Sequence, residues 1–318
     1  MHRAQVSHTD QVSLGILIIL ASVSALALGD ATIKLISADF SLWQIFALRS
    51  AFAIPCIILL AILAKRRLRP TAPGWVSLRA LLLVTGWIAY YGALPWLDLG
   101  TAAVAVYTNP IFTALITAAV LKERVTPIQW LGIAIGFVGV AIILRPTDAQ
   151  FSWPLLGPIA GALLYSLAMI LTRSKCQSED YVSLAFALHI AFIVTGMIGL
   201  ALNTLVPLPV SLSDQTPFLT TGWAAMAPND WALMAGLGLL AMAFTLGVAR
   251  AYQIAPPHII ATFDYGYVGF ALLWGVVFFS EYPDARGILG MGLVITAGLM
   301  VALGARRYQS PLQHSAGG

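Results

Sequence analysis

Charge is scarce in this chain. Of its 318 residues only 9% are charged, 17 of them Lys or Arg and 13 Asp or Glu. A soluble domain carries about 25% charged residues, so an ordinary water-facing surface is excluded. The net charge of +4 is spread along the chain rather than gathered into a basic patch, which excludes a nucleic-acid footprint. Cysteine is nearly absent, with Cys56 and Cys176 alone; two such residues make no disulfide framework and are read as packing. No Walker A loop is present, so direct ATP drive is not expected, and no His-Glu-x-x-His helix offers a zinc site. Accordingly no enzyme activity, cofactor or metal is expected.

What the chain has instead is apolar length. Hydrophobic residues make up 59% and the mean hydropathy is +0.88. A run of about 20 apolar residues crosses a bilayer. Ten such runs occur: 14–36, 41–64, 76–97, 102–121, 127–144, 154–173, 181–205, 231–252, 257–279 and 285–304. The expected class is therefore an all-α integral membrane protein of ten transmembrane helices. With the N-terminus inside, the inner segments hold Arg3, Lys65, Arg66, Arg67, Arg69, Lys122, Arg124, Arg173, Lys175, Arg306 and Arg307. The outer loops hold only Arg145 and Arg286. The positive-inside rule then puts both termini in the cytoplasm, in a multi-pass protein of the cytoplasmic (inner) membrane.

The chain also repeats itself. Glu123 and Glu281 each follow a long apolar run, 158 positions apart. At the same offset Gly132 falls on Gly290, Tyr107 on Tyr265 and Ala103 on Ala261. Gly15 and Ser24 match Gly157 and Ser166, so the first run belongs to the fold and is not a cleaved leader. Five runs per half is an odd number, so the second half enters the membrane inverted. Inverted repeats are the plan of many transporters, with substrate bound between the halves. Three segments are expected: residues 1–145 and 150–306 as five-helix repeats, and 307–318 as a short tail. Gly132 with Gly136 and Gly157 with Gly161 read as close helix-packing faces.

Ionisable residues inside a span are costly and mark pathways, relays or paired charges. Asp30 and Lys34 lie one helical turn apart on the first run, Arg49 on the second, His189 on the seventh, Arg250 on the eighth and Asp264 on the ninth. Asp30 is read either as a proton or cation site or as the partner of Lys34 or Arg49. Arg49 cannot deprotonate, so a carboxylate, carbonyls or a bound anion must balance it. His189 matches Arg49 at an offset of 140, and two basic groups at one cavity suit an anionic or zwitterionic substrate. Asp264 is read as a proton carrier or as the partner of Arg250. The aromatics Trp87, Tyr90, Tyr91 and Trp96, and Phe263, Tyr265, Tyr267 and Trp274, read as packing and interfacial belts. Two intramembrane aspartates raise the intramembrane aspartyl proteases, but Leu28-Gly29-Asp30 and Phe263-Asp264-Tyr265 supply neither the Tyr-Asp nor the Gly-x-Gly-Asp pattern.

Asn109-Pro110, Leu121-Lys122-Glu123-Arg124, Gly132 and Gly139, with a second copy in Phe279-Ser280-Glu281-Tyr282-Pro283-Asp284 and Gly290, resemble the EamA-type repeat of the drug/metabolite transporter superfamily. Asp30, Lys34 and Arg49 resemble its first-half pattern. The resemblance spans about residues 14–305. It implies a ten-helix carrier with a central cavity that moves small metabolites without ATP. Glu123, Glu281, Gly132, Gly290 and Pro110 are signature positions by resemblance, and the two glutamates are read as capping or pairing at the start of the next helix. The copies differ, since Val268 stands against Pro110 and His189 against Arg49.

The expected function is a secondary carrier for a small polar organic metabolite, such as an amino acid, a riboflavin-like vitamin or a carboxylate, working by alternating access. Substrate is expected between spans 1–4 and 6–9, contacted or gated by Arg49, then Asp264, Asp30, Lys34, His189, Arg250, Tyr107 and Tyr265. The expected partners are that substrate, the lipid bilayer and a proton or another coupling ion. The competing class is a non-transporting membrane sensor or assembly partner. It needs a signalling domain or docking tail, where only eleven residues follow Arg307.

Overall fold

The computed structural model describes residues 8–109, 111–112, 115–116, 126–144, 153–176, 178–205, 216–254, 263 and 266–309. Among these residues all regular structure is helical. In a bilayer that is the economical answer, because a helix satisfies its own backbone polar groups. The helices of eight residues or more among the described residues are α1 (His8–Leu35), α2 (Leu42–Leu63), α3 (Pro73–Ala93), α4 (Leu99–Val106), α5 (Pro127–Leu144), α6 (Leu156–Lys175), α7 (Tyr181–Leu205), α8 (Pro228–Ile254), α9 (Gly266–Phe279) and α10 (Ala285–Gln309). Among the described residues, six stretches are long and apolar enough to cross a membrane: Ser13–Leu35, Leu42–Leu63, Pro73–Trp96, Trp153–Thr172, Tyr181–Leu205 and Pro228–Val248. Trp130–Gly139, Gly266–Phe279 and Ala285–Met300 are shorter apolar helices. Large apolar side chains such as Leu59, Ile62, Leu81, Val194 and Val277 face outward, as lipid-facing positions do.

The helices pair as α5 on α10, α3 on α6, α1 on α8, α2 on α7, α2 on α8, α1 on α9, α3 on α7, α4 on α9 and α4 on α6. Small residues set these crossings. A side chain on Gly157 would strike the Ala89 carbonyl and Ala93, and one on Gly161 would come within 3.0 Å of the Gly86 carbonyl. These glycines therefore let α3 and α6 approach backbone to backbone. Gly139 does the same for α5 against α10, where a side chain would lie 2.9 Å from the Gly290 carbonyl. Without a hydrophobic force between helices in lipid, such close van der Waals contact is what holds them.

The fourth apolar run is not one continuous helix. The chain turns at Tyr107–Thr108 after α4. Thr108 spends both its amide (3.3 Å) and its hydroxyl (2.7 Å) on the Ala105 carbonyl, which tightens the turn away from the α-helical ladder. Just beyond the turn the Asn109 carbonyl accepts a 2.9 Å hydrogen bond from the buried Ser166 hydroxyl of α6. Discontinuous helices are tolerated in membranes where neighbouring helices and Ser or Thr side chains help to satisfy the backbone.

Near residue 220 a segment straps the bundle. Trp43 Nε1 donates to the Leu219 carbonyl at 2.6 Å. Gln44, fully buried, both donates to the Ala224 carbonyl (3.0 Å) and accepts from its amide (2.8 Å). Asn203 of α7 donates to the Leu219 and Thr221 carbonyls, both at 2.9 Å. This end of α2 and α7 is thereby covered.

Candidate functional site

The middle of the bundle holds one buried carboxylate with phenols around it. Asp30 on α1 is fully buried. Tyr91 donates to its Oδ1 at 2.8 Å. Tyr90 lies 3.2 Å from Oδ2, and Tyr267 of α9 also donates to Oδ2. Tyr90 and Tyr267 share a 2.8 Å hydrogen bond with each other. Helix α3 therefore supplies two consecutive phenols and α9, far along the chain, the third. Trp87 stacks on Tyr91 with centroids 5.1 Å apart, and Tyr107 stacks on Tyr267 at 5.4 Å.

Arg49 on α2 joins this cluster through Tyr91 rather than directly. Its guanidinium donates to the Tyr91 hydroxyl at 3.3 Å. It also lies over the rings of Phe46, Tyr91 and Phe192, at 4.8, 5.2 and 4.7 Å. Cation–π attraction is worth up to about 2 kcal/mol per desolvated contact, so the aromatic box offsets part of the cost of burying this charge. Among the described residues Arg49 Nε has no hydrogen-bond partner. On α7, His189 Nδ1 sits 3.2 Å from the hydroxyl of Ser50, the neighbour of Arg49, while its Nε2 has no partner among the described residues. The two repeat-matched basic residues thus stand beside each other.

Lys34, one turn from Asp30, pairs elsewhere. It forms a salt bridge with Glu281 and donates to the Leu97 carbonyl. Its ammonium also lies 4.8 Å from the Phe279 ring. The other Glu281 oxygen accepts a 2.7 Å hydrogen bond from the Leu99 amide. Lys34 is therefore paired with Glu281 and not with Asp30, which accepts from phenols instead. Glu281 caps α4, 182 residues before it in the chain. The following helix α10 is capped by Asp284, whose Oδ1 accepts from the Gly287 amide at 2.7 Å.

The remaining expected site residues divide cleanly. Tyr107 belongs to the central cluster. Arg250 lies exposed on α8, apart from it. Gly132 and Gly290 sit buried on α5 and α10. Asp264, Tyr265, Glu123 and Pro110 lie outside the described residues. In sequence Tyr90, Tyr91 and Tyr267 look like packing or belt aromatics; only their convergence on Asp30 reveals a polar role. Ser166 shows in sequence only as the repeat match of Ser24. Among the described residues no group of three or more His, Cys, Asp or Glu side chains could hold a metal ion.

Comparison with known proteins bears on these features. Residues 13–145 match the EamA-like transporter family. An uncharacterized transporter of Helicobacter pylori is 25% identical over 306 residues, covering 92% of this chain and 96% of its own. A riboflavin transporter of Rhizobium johnstonii is 28% identical over 265 residues, 83% of this chain and 80% of its own. An S-adenosylmethionine uptake transporter of Rickettsia prowazekii is 23% identical over 251 residues, 79% of each chain. One solved crystal structure, 18% identical, has a similar fold, with a TM-score of 0.59 over 93% of this chain and 98% of that one. Residues 13–145 of this multi-pass membrane chain thus resemble the EamA-like transporter family, the EamA-type branch of the drug/metabolite transporter superfamily.

Proposed function

We propose that this protein is a secondary carrier for a small polar organic metabolite, working by alternating access between two inverted five-helix repeats, residues 1–145 and 150–306. The observation that carries this reading is the pattern of helix pairs. Exchanging α1–α5 with α6–α10 turns the α3–α6 pair into α8–α1, α3–α7 into α8–α2, and α4–α6 into α9–α1, and all six pairs are present. The pairs α5–α10, α2–α7 and α4–α9 map onto themselves. A bundle that repeats its own contacts can rock one half against the other about a central site.

The site of this reading is the cluster of Asp30, Arg49, His189, Tyr107 and the three phenols, with Asp264, Tyr265 and Arg250 as further candidates. With the termini in the cytoplasm, the Lys34–Glu281 pair and the segment near residue 220 lie at the outer end. Lys34 and Glu281 then form an outer gate joining α1, the start of α4 and the end of α9. The relatives named as riboflavin and S-adenosylmethionine transporters support a metabolite of that size as substrate.

Counterflow in protein-only liposomes tests the reading, with labelled riboflavin, S-adenosylmethionine, amino acids and carboxylates as probes. Exchange of at least one probe, slowed at least tenfold in Arg49→Gln, is expected. No exchange of any probe, with the protein shown to be folded, overturns it.

A further inference from the structure

The donors and acceptors around Asp30 are not equivalent on its two oxygens. Guanidinium groups only donate, so the hydrogen bond from Arg49 leaves the Tyr91 hydrogen one direction, onto Oδ1. That side is fixed. On the other side Oδ2 meets Tyr267 and Tyr90, and within the phenol pair either oxygen can be the donor. A phenol accepts as readily as it donates, so this side can reverse.

We propose that Asp30 is a reversible proton-binding site, loaded at Oδ2 through the Tyr90–Tyr267 pair. The step balances. A solvent proton, carried as hydronium, arrives on the Tyr90 oxygen and leaves a neutral water, and Tyr90 passes its own hydrogen to Tyr267. Tyr267 passes its hydrogen to Asp30 Oδ2, and each phenol ends with one hydrogen. A metal cation is disfavoured at the same place, because the phenols present hydrogens, not lone pairs, to the carboxylate. This deepens the carrier reading by naming its coupling ion, but proton binding itself does not depend on transport.

The groups facing Asp30 are few among the described residues. Arg49 of α2 reaches Asp30 through one phenol, Tyr91. Tyr90 and Tyr91 come from α3 and Tyr267 from α9, with Tyr107 of α4 stacked behind Tyr267. On α8, Asp230 lies in the first turn and Arg250 is exposed, and neither is hydrogen-bonded to Asp30. Lys34, a turn along α1, is held by Glu281.

Infrared difference spectroscopy on the purified protein tests this, titrating from about pH 8 to about pH 4.5, the side of the range where carboxylates load. The expected result is a protonated-carboxyl band that shifts in heavy water, is absent in Asp30→Asn, and persists at an altered frequency and midpoint in Tyr267→Phe. Tyr267→Phe keeps the carboxyl, so it answers even where Asp30→Asn fails to fold. A band indifferent to both variants, or no such band, overturns the proposal. So does sodium chloride raising the melting temperature over choline chloride in wild type but not in Asp30→Asn. Failure of counterflow with this titration intact would sink the carrier reading and leave the proton site standing.

Discussion

At the scale of single residues, Tyr91 has the most to lose. It is the bridge that lets a buried carboxylate and a buried guanidinium coexist without touching. Removing one partner of a buried pair leaves a charge uncompensated, which costs about 3–5 kcal/mol; removing only the bridging hydroxyl leaves two groups short of one hydrogen bond, about 1–3 kcal/mol. Tyr91→Phe is therefore expected to lower stability by roughly 1–3 kcal/mol, and Asp30→Asn or Arg49→Gln by more. The double variant Asp30→Asn/Arg49→Gln should lose less than the two singles summed, since each removes the other's reason for cost. Denaturant melts in detergent read this directly, and strict additivity would show the cluster is uncoupled. Asp30 and Arg49 are conspicuous in sequence because charge in an apolar run is rare. The tyrosines are not, because tyrosine is at home in any membrane helix.

At the scale of elements, the crossings are decided by glycine. A side chain on Gly196 of α7 would lie 2.8 Å from the Ala47 amide and 3.1 Å from its Cβ, where backbone cannot yield. Gly196→Ala should force α2 and α7 apart at a cost of about 1–3 kcal/mol. Gly236 and Gly292 have nothing within 4 Å, so alanine there should be neutral or slightly stabilising. Thermal melts of the three variants check the contrast, and equal losses would refute it. Helix α3 is started from outside itself. Glu179 accepts from the Thr71 amide (2.9 Å), the Ala72 amide (2.7 Å) and the Thr71 hydroxyl (2.5 Å). Burial works against its charge, but these hydrogen bonds prevail and hold the carboxyl below its usual range. A depressed folded value means the cap stabilises at and above the ordinary carboxylate pKa and is lost as pH falls through the lower folded value. Glu179→Gln should cost about 0.5–2 kcal/mol at neutral pH. Below the folded value the difference from wild type should vanish, which a pH series of melts would detect.

At the scale of the molecule, the proposed outer gate rests on one ion pair that spans 247 residues of sequence. At the matching offset in the other half, Lys34 falls on Cys176, so the repeat does not supply a second lysine there. The expectation is a carrier biased toward outer closure. Glu281→Gln should raise the accessibility of a cysteine placed near the outer mouth to a membrane-impermeant thiol reagent. Lys34→Glu with Glu281→Lys should restore much of the protection lost in either single reversal. Protection unchanged in all three variants would remove the gate from the mechanism.

The sequence alone determined the solvent this protein lives in and the character of its helices. Apolar runs fix membrane helices because lipid leaves the backbone no other partner, and the intramembrane charges Asp30, Lys34, Arg49 and His189 announced themselves by their cost. Partnership was decided by tertiary structure. Lys34 chose Glu281 over the aspartate one turn away, Glu281 capped α4 instead of the helix after it, and three tyrosines from two distant helices closed on Asp30. Those choices depend on which helix faces meet, and spacing along the chain carries no record of contacts between helices hundreds of residues apart.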